Sequence, residues 1–174
     1  MATGVDRYAQ REGDSNMPVV KAGLKASDIM TADPVCIRPS ATIAELARLL
    51  EDSEISGVPV TNQQGKVVGI VSKSDLVRRA LQGTGEIAPA YLFELLGDLG
   101  NDDEVSEIQP EIEICVEDIM TEDPLMVAPG GSVIEVARLM HTAHVHRVVV
   151  VDKDQFPVGI ITSMDLLGAL AQSQ

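Results

Sequence analysis

Aromatic side chains are nearly missing from this chain: they make up 2% of 174 residues, and tryptophan is absent altogether. A protein so poor in rings has no stacking platform for single-stranded nucleic acid, which needs successive exposed aromatics. Cations are also scarce. Thirteen lysines and arginines stand against twenty-seven acidic residues, for a formal net charge of −14. Duplex binding depends on phosphate neutralisation by Lys/Arg patches, so the overall field excludes non-specific binding to DNA or RNA. It does not exclude a small anion, because local cations outweigh a distant acidic surface beyond a screening length of roughly 8–10 Å. Only two cysteines occur, Cys36 and Cys115, without a CxxC spacing; they read as free thiols of a reducing compartment. No apolar run has the length of a membrane span, and Met1–Gln10 has no apolar signal core. These gaps together predict a soluble cytoplasmic protein that contacts neither membrane nor nucleic acid.

What is present is a repetition. Asp28-Ile29-Met30-Thr31-x-Asp33-Pro34 returns ninety residues later as Asp118-Ile119-Met120-Thr121-x-Asp123-Pro124. The same offset continues through Glu45/Glu135, Ala47-Arg48-Leu49/Ala137-Arg138-Leu139, Val58/Val148, Gly69-Ile70/Gly159-Ile160 and Asp75-Leu76/Asp165-Leu166. A constant offset over some fifty residues marks two copies of one structural unit. Each copy is too short to bury an adequate core alone, so the pair is the working unit. With apolar residues at 45%, the core must be built from branched aliphatics, alanine and methionine.

Each copy has the same predicted course. A helical turn at Asp-Ile-Met-Thr precedes an extended piece at Val35-Cys36-Ile37 or Leu125-Met126-Val127. Thr42-x-x-Glu45 and Ser132-x-x-Glu135 fit the capping box that opens a helix. Apolar residues then fall at helical spacing, at Ile43, Leu46, Ala47 and Leu50 in one copy and Val133, Val136, Ala137 and Met140 in the other. Strands at Val58–Val60 and Val148–Val151 and at Val67–Val71 and Val158–Ile161 flank turn-forming residues. A second helix starts at Ser72 or Thr162. The predicted class is α/β (α+β), strand-helix-strand-strand-helix, twice. Residues 1–17 read as a flexible arm, 18–81 as the first domain, 82–115 as a connector with a short helix at Tyr91–Leu96, and 116–174 as the second domain.

These motifs resemble a tandem pair of cystathionine β-synthase (CBS) domains, a Bateman module. The resemblance rests on Asp-Ile-Met-Thr-x-Asp-Pro, on Gly57-Val58-Pro59-Val60, and on Gly-Ile-Val-Ser-x-x-Asp-Leu with its mate Gly-Ile-Ile-Thr-x-x-Asp-Leu. It implies two repeats packed sheet to sheet with pseudo-twofold symmetry and two clefts between them. It further implies an adenosine ligand (AMP, ADP, ATP or S-adenosylmethionine) with no required cofactor, and a stand-alone regulatory role toward an unknown partner protein. A homodimer forming a four-domain disk is implied as well. An alternative is a dimerising scaffold whose clefts are empty or vestigial. Catalysis is not expected, since no Walker-type loop, nucleophile elbow or metal-binding helix motif occurs.

The candidate site begins at Ser72-Lys73-Ser74-Asp75 and Thr162-Ser163-Met164-Asp165. By resemblance, Asp75 and Asp165 hold a ribose diol while Ser72 and Thr162 face phosphate. A carboxylate can accept from both hydroxyls, and a helix N-terminus favours phosphate. Read from the residues alone, the same Ser/Thr-x-x-Asp pattern is a helix cap that needs no ligand. The resemblance places adenine on the early strand and second strand of the same repeat: Thr31, Pro34, Val35 and Ile37 with Ser56, Gly57 and Val58, or Thr121, Leu125 and Val127 with His146, Arg147 and Val148. Those residues would also serve as plain strand core. His144 and His146 read as helpers of Arg147 on phosphate, with His141 as three ligands of a metal lacking a fourth, or as exposed histidines without a ligand. Arg38 and Lys73 are the other cations expected near a cleft, and Arg78-Arg79 a solvated helix end.

Overall fold

The computed structural model describes residues 23–81 and 114–172. The expected arm and the connector helix lie outside them. Within each repeat the long helix forms where the capping box predicts. In α2 (Ile43–Asp52) the Thr42 N–H donates to Glu45 Oε2 at 2.8 Å, and the Glu45 N–H donates back to Thr42 Oγ1 at 3.2 Å. In the second repeat the Ser132 N–H donates to Glu135 Oε2 at 3.3 Å and the Ile134 N–H donates to Ser132 Oγ at 3.3 Å, opening the helix Val133–Ala143, called α4 here. Ile43, Leu46, Ala47 and Leu50 are buried on one stripe of α2, and Val133, Val136 and Met140 on one stripe of α4. Hairpins follow: β2 (Gly57–Thr61) with β3 (Val67–Ser72), and β6 (Arg147–Val151) with β7 (Pro157–Thr162). Each last strand runs straight into a short helix, α3 (Lys73–Leu81) or α5 (Ser163–Ala171).

The opening segments are exchanged between the repeats. Residues of the first motif form α1 (Ala26–Ile29) and the two-residue strand β1 (Thr31–Ala32), and β1 pairs with β7 of the second repeat, Thr31 opposite Ile160. Reciprocally, a 3-10 turn at Val116–Asp118 leads into β4 (Thr121–Glu122), which pairs with β3 of the first repeat, Thr121 opposite Ile70. The resulting sheets have the order β1-β7-β6-β5 and β2-β3-β4, where β5 is Met126–Val127, parallel to β6. The matching piece Val35–Ile37 makes only an isolated parallel bridge, through the Ile37 N–H to Pro59 O at 3.1 Å and the Thr61 N–H to Ile37 O at 2.9 Å.

Backbone hydrogen bonds clasp each opening segment onto the other repeat's helix start. The Val116 N–H donates to Ala41 O at 2.8 Å and the Ile43 N–H to Ile114 O at 3.1 Å; in the mate, Ala26 donates to Gly131 O at 2.8 Å and Val133 to Leu24 O at 3.0 Å. The cores follow the clasp. Ile114 and Val116 complete the cluster of Leu46, Leu50, Val58 and Leu76, whereas Ala26 belongs with Val136, Met140, Val148 and Ile161. Close approach explains the paired glycines: a Cβ on Gly159 would run into the Met30 side chain, and one on Gly69 into Met120 and the Thr121 carbonyl. A bare backbone there lets the exchanged strand lie flat.

Candidate functional site

Both strand-to-helix turns realise the capping geometry through a single carboxylate oxygen. Ser72 donates its N–H (2.9 Å) and its hydroxyl (2.6 Å) to Asp75 Oδ2; Thr162 does so to Asp165 Oδ2 at 2.6 and 2.7 Å. The second oxygen differs between the copies. Asp75 Oδ1 accepts from Arg78 Nη1 at 2.8 Å. At the position aligned with Arg78 the second repeat has Gly168, and among the described residues nothing engages Asp165 Oδ1. Arg78, expected as a solvated helix end, thus holds the ribose-type acceptor, one helical turn away from it. Because the Thr162 hydroxyl is part of the cap, Thr162→Ala should lower stability by about 1 kcal/mol. Urea denaturation checks this; an unchanged midpoint would mean the Asp165 contact to backbone caps α5 unaided.

Asp75 is buried, with 7% of its surface exposed, and stands at the wall of a cleft of about 250 Å³ between the repeats. Ile70, Ser72, Ser74 and Arg78 line it from the first repeat. Thr121, Asp123, Pro124, Leu125, Val145, His146 and Arg147 line it from the second. The grouping by repeat is therefore corrected. Thr121, not Thr31, faces Asp75, since the exchanged strand β4 lies beside β3. Thr31 lies instead beside β7, the strand that ends at Thr162.

Arg147 is the electrostatic centre. Its Nη2 donates to Ser56 Oγ of the other repeat at 3.1 Å, and the guanidinium spreads over Gly57, where any Cβ would collide with Nη1 and with Val71 O. Gly57 is therefore glycine for the sake of an arginine ninety residues away. Nη1 is buried and makes no hydrogen bond. Burial pulls this guanidinium below the ordinary arginine range, and the Asp75 carboxylate pushes back. An unpaired buried donor is costly, and an anionic oxygen satisfies it best.

The remaining candidates divide. Ile37, Val58 and Val148 are core residues, and Val127 packs against the second core. Val35 is 43% exposed, and the Pro34 carbonyl accepts from the Cys36 thiol at 3.3 Å. Burial pushes that thiol's pKa up, against the charge of Arg38. Arg38 itself donates to the carbonyls of Thr61 and Asn62, so neither it nor Lys73 lines the cleft. His144 caps α4 in a left-handed conformation (φ 54°) and lines a separate hollow with His141, His146 and Ser163. The ring centroids of His141 and His144 lie 6.5 Å apart, and among the described residues no group of three His, Cys, Asp or Glu side chains could hold a metal. Asp123, Pro124 and Val145 were missed as lining residues, although Asp123 and Pro124 sit inside the repeated motif. Among the described residues no helix is long and apolar enough to cross a membrane.

Known proteins share this fold. The family described as CBS domain matches twice, over residues 26–82 and 116–172. An uncharacterized protein of Methanocaldococcus jannaschii is 30% identical over 150 residues, covering 82% of this chain and 89% of that protein. Among solved structures, CBSX2 in complex with AMP superposes with a TM-score of 0.65 at 25% identity, over 86% of this chain and 98% of the other. CBSX2 is from Arabidopsis thaliana. The CBS domain pair of protein MJ0100, solved with 5-methylthioadenosine and S-adenosyl-L-methionine, gives 0.66 at 24% identity, over 87% and 98%, and shares the fold.

Proposed function

As the chain belongs to the CBS domain family and carries the domain twice, we propose that it is a regulatory module binding an adenosine nucleotide in the cleft between its repeats. The observation that carries this reading is the junction of a diol-type acceptor, Asp75, with a buried, unsatisfied arginine donor, Arg147, across one cleft. The complex of CBSX2 with AMP supports it. Asp75 takes the ribose, in exchange for or beside Arg78; Thr121, Pro124 and Leu125 flank the base; Arg147 and His146 take the phosphate. The ribose contact comes from the first repeat and the base and phosphate contacts from the second, so occupancy favours one relative orientation of the two. A partner protein reads that orientation. The module binds and signals in the cytoplasm and does not catalyse.

A second reading, a dimerising scaffold, draws on one observation. Ile134, Leu167 and Leu170 are exposed on neighbouring faces of α4 and α5, which suits a second copy and a four-domain disk. The two readings separate by thermal melting. With AMP, ADP or ATP at about a hundred times Kd, linkage adds about 2.7 kcal/mol and raises Tm by several degrees. Asp75→Asn keeps the cap's shape and should remove that shift. Melting curves indifferent to all three nucleotides would leave the scaffold.

A further inference from the structure

The two helix pairs, α2 with α3 and α4 with α5, copy one another in backbone but not in surface. On α4 the stripe of Ile134, Arg138 and His141 borders an open groove of about 320 Å³, with Leu166 and Leu170 of α5 opposite. The ninety-residue offset puts Ala44, Arg48 and Glu51 on the same stripe of α2. At that place the first pair is filled: Ala47 and Leu76 are buried, whereas their mates Ala137 and Leu166 are half-buried. In place of a groove, α3 presents a ridge, Val77 and Leu81, one turn apart and both exposed. The helix ends differ in chemistry too. Glu51 and Glu54 stand exposed at the end of α2, and His141 and His144 stand exposed at the same places on α4. A carboxylate only accepts, while an imidazole carries an N–H donor even when uncharged. One face is thus a ridge with acceptors, the other a groove with donors.

The geometry points to a second copy of this chain, docked head to tail, as the occupant of the groove. It rests on the dimer reading above and fixes which faces meet. The α2/α3 face of one copy seats on the α4/α5 face of the other, and a twofold axis repeats the contact, which closes the pair. Val77 and Leu81 enter the groove, Ile134 lies over the smaller Ala44, and Glu51 and Glu54 accept from His141 and His144. Pairing like faces would lay one open groove on another and set Glu51 and Glu54 against their own copies, a like-charge contact that complementary interfaces avoid.

Sedimentation equilibrium on the full chain tests the orientation by charge exchange. The parent should form dimers and no longer polymers. Glu51→Lys with Glu54→Lys should weaken the dimer roughly tenfold, and so should His141→Glu with His144→Glu, since each sets like charges together. The second change gives α4 the residues α2 already carries, and positions 54 and 144 share the same left-handed backbone (φ 53° and 54°), so it adds no strain. Combining all four substitutions reverses both faces at once and should restore the parent's affinity. With like faces paired, the quadruple variant would set Lys against Lys and Glu against Glu and regain nothing. A quadruple variant no tighter than either double variant, or double variants as tight as the parent, would overturn the orientation and leave the dimer standing. A parent that stays monomeric at every concentration reached would overturn both and leave the groove to another protein.

Discussion

Replacing Arg147 by alanine should weaken AMP roughly tenfold to a hundredfold, the equivalent of about 1.5–3 kcal/mol for hydrogen bonds to a charged group. Stability should barely fall and could rise. Ordinarily an arginine removed from a half-buried position costs packing and paired donors. Here the side chain holds one hydrogen bond, to Ser56, and a second nitrogen that is buried with none. Deleting it removes a desolvation penalty together with that bond. Adenosine, lacking phosphate, should bind the variant as it binds the parent protein. Arg147→Lys should not rescue AMP, because an ammonium cannot hold Ser56 and a phosphate in one planar fork. Calorimetry with AMP and adenosine, beside melting curves, reads all three outcomes. An AMP affinity within twofold of the parent's would remove Arg147 from the phosphate site.

The second large effect concerns the clasp. Val116→Asp should unfold the protein or nearly so, since an unpaired buried carboxylate costs several kcal/mol against a total stability of about 5–15 kcal/mol. The milder Val116→Ala is the more discriminating change. Val116 is fully buried, yet its neighbours are Leu46, Leu50, Val58 and Leu76 of the first repeat. Amides of the 57–72 hairpin should therefore lose hydrogen-exchange protection first. Those of the 147–162 hairpin should lose it only with global unfolding. Ala26→Asp should show the opposite order. Loss of protection in 147–162 first, on Val116→Ala, would contradict the exchange.

Much of this architecture was legible from the residues. The capping boxes at Thr42 and Ser132, the hairpins and the strand-end turns are local, and local patterns fix them. The exchange was not legible, for a physical reason. A two-residue strand such as Thr31–Ala32 carries no periodicity, and the edges it could join, at Gly69-Ile70 or Gly159-Ile160, are identical in sequence. Pairing is decided by where the chain enters, beside Ala41 or beside Gly131, and that is a tertiary fact. The site suffered from the same gap. Asp75, Ser72, His146 and Arg147, singled out from the sequence, meet in one cleft, but their companion there is Thr121 rather than Thr31. Arg38 failed because its reach to two carbonyls of the β2 end depends on the hairpin's geometry. Gly57 was read as an adenine-site residue or plain strand core, whereas its bare backbone makes room for a side chain from the other repeat.

The exchanged openings also impose a timetable on synthesis. Residues 24–32 are made before either hairpin, yet their seat on α4 and β7 does not exist until the chain has been extended through residue 162. The 57–72 hairpin leaves the ribosome some forty residues before the 114–122 segment that roofs it. Domains commonly fold one after another as they emerge, the N-terminal one first. Here the order is staggered: the first core can close once residues 114–122 have been made, whereas the opening segment must wait for the strand that ends at Thr162 before the second core can close.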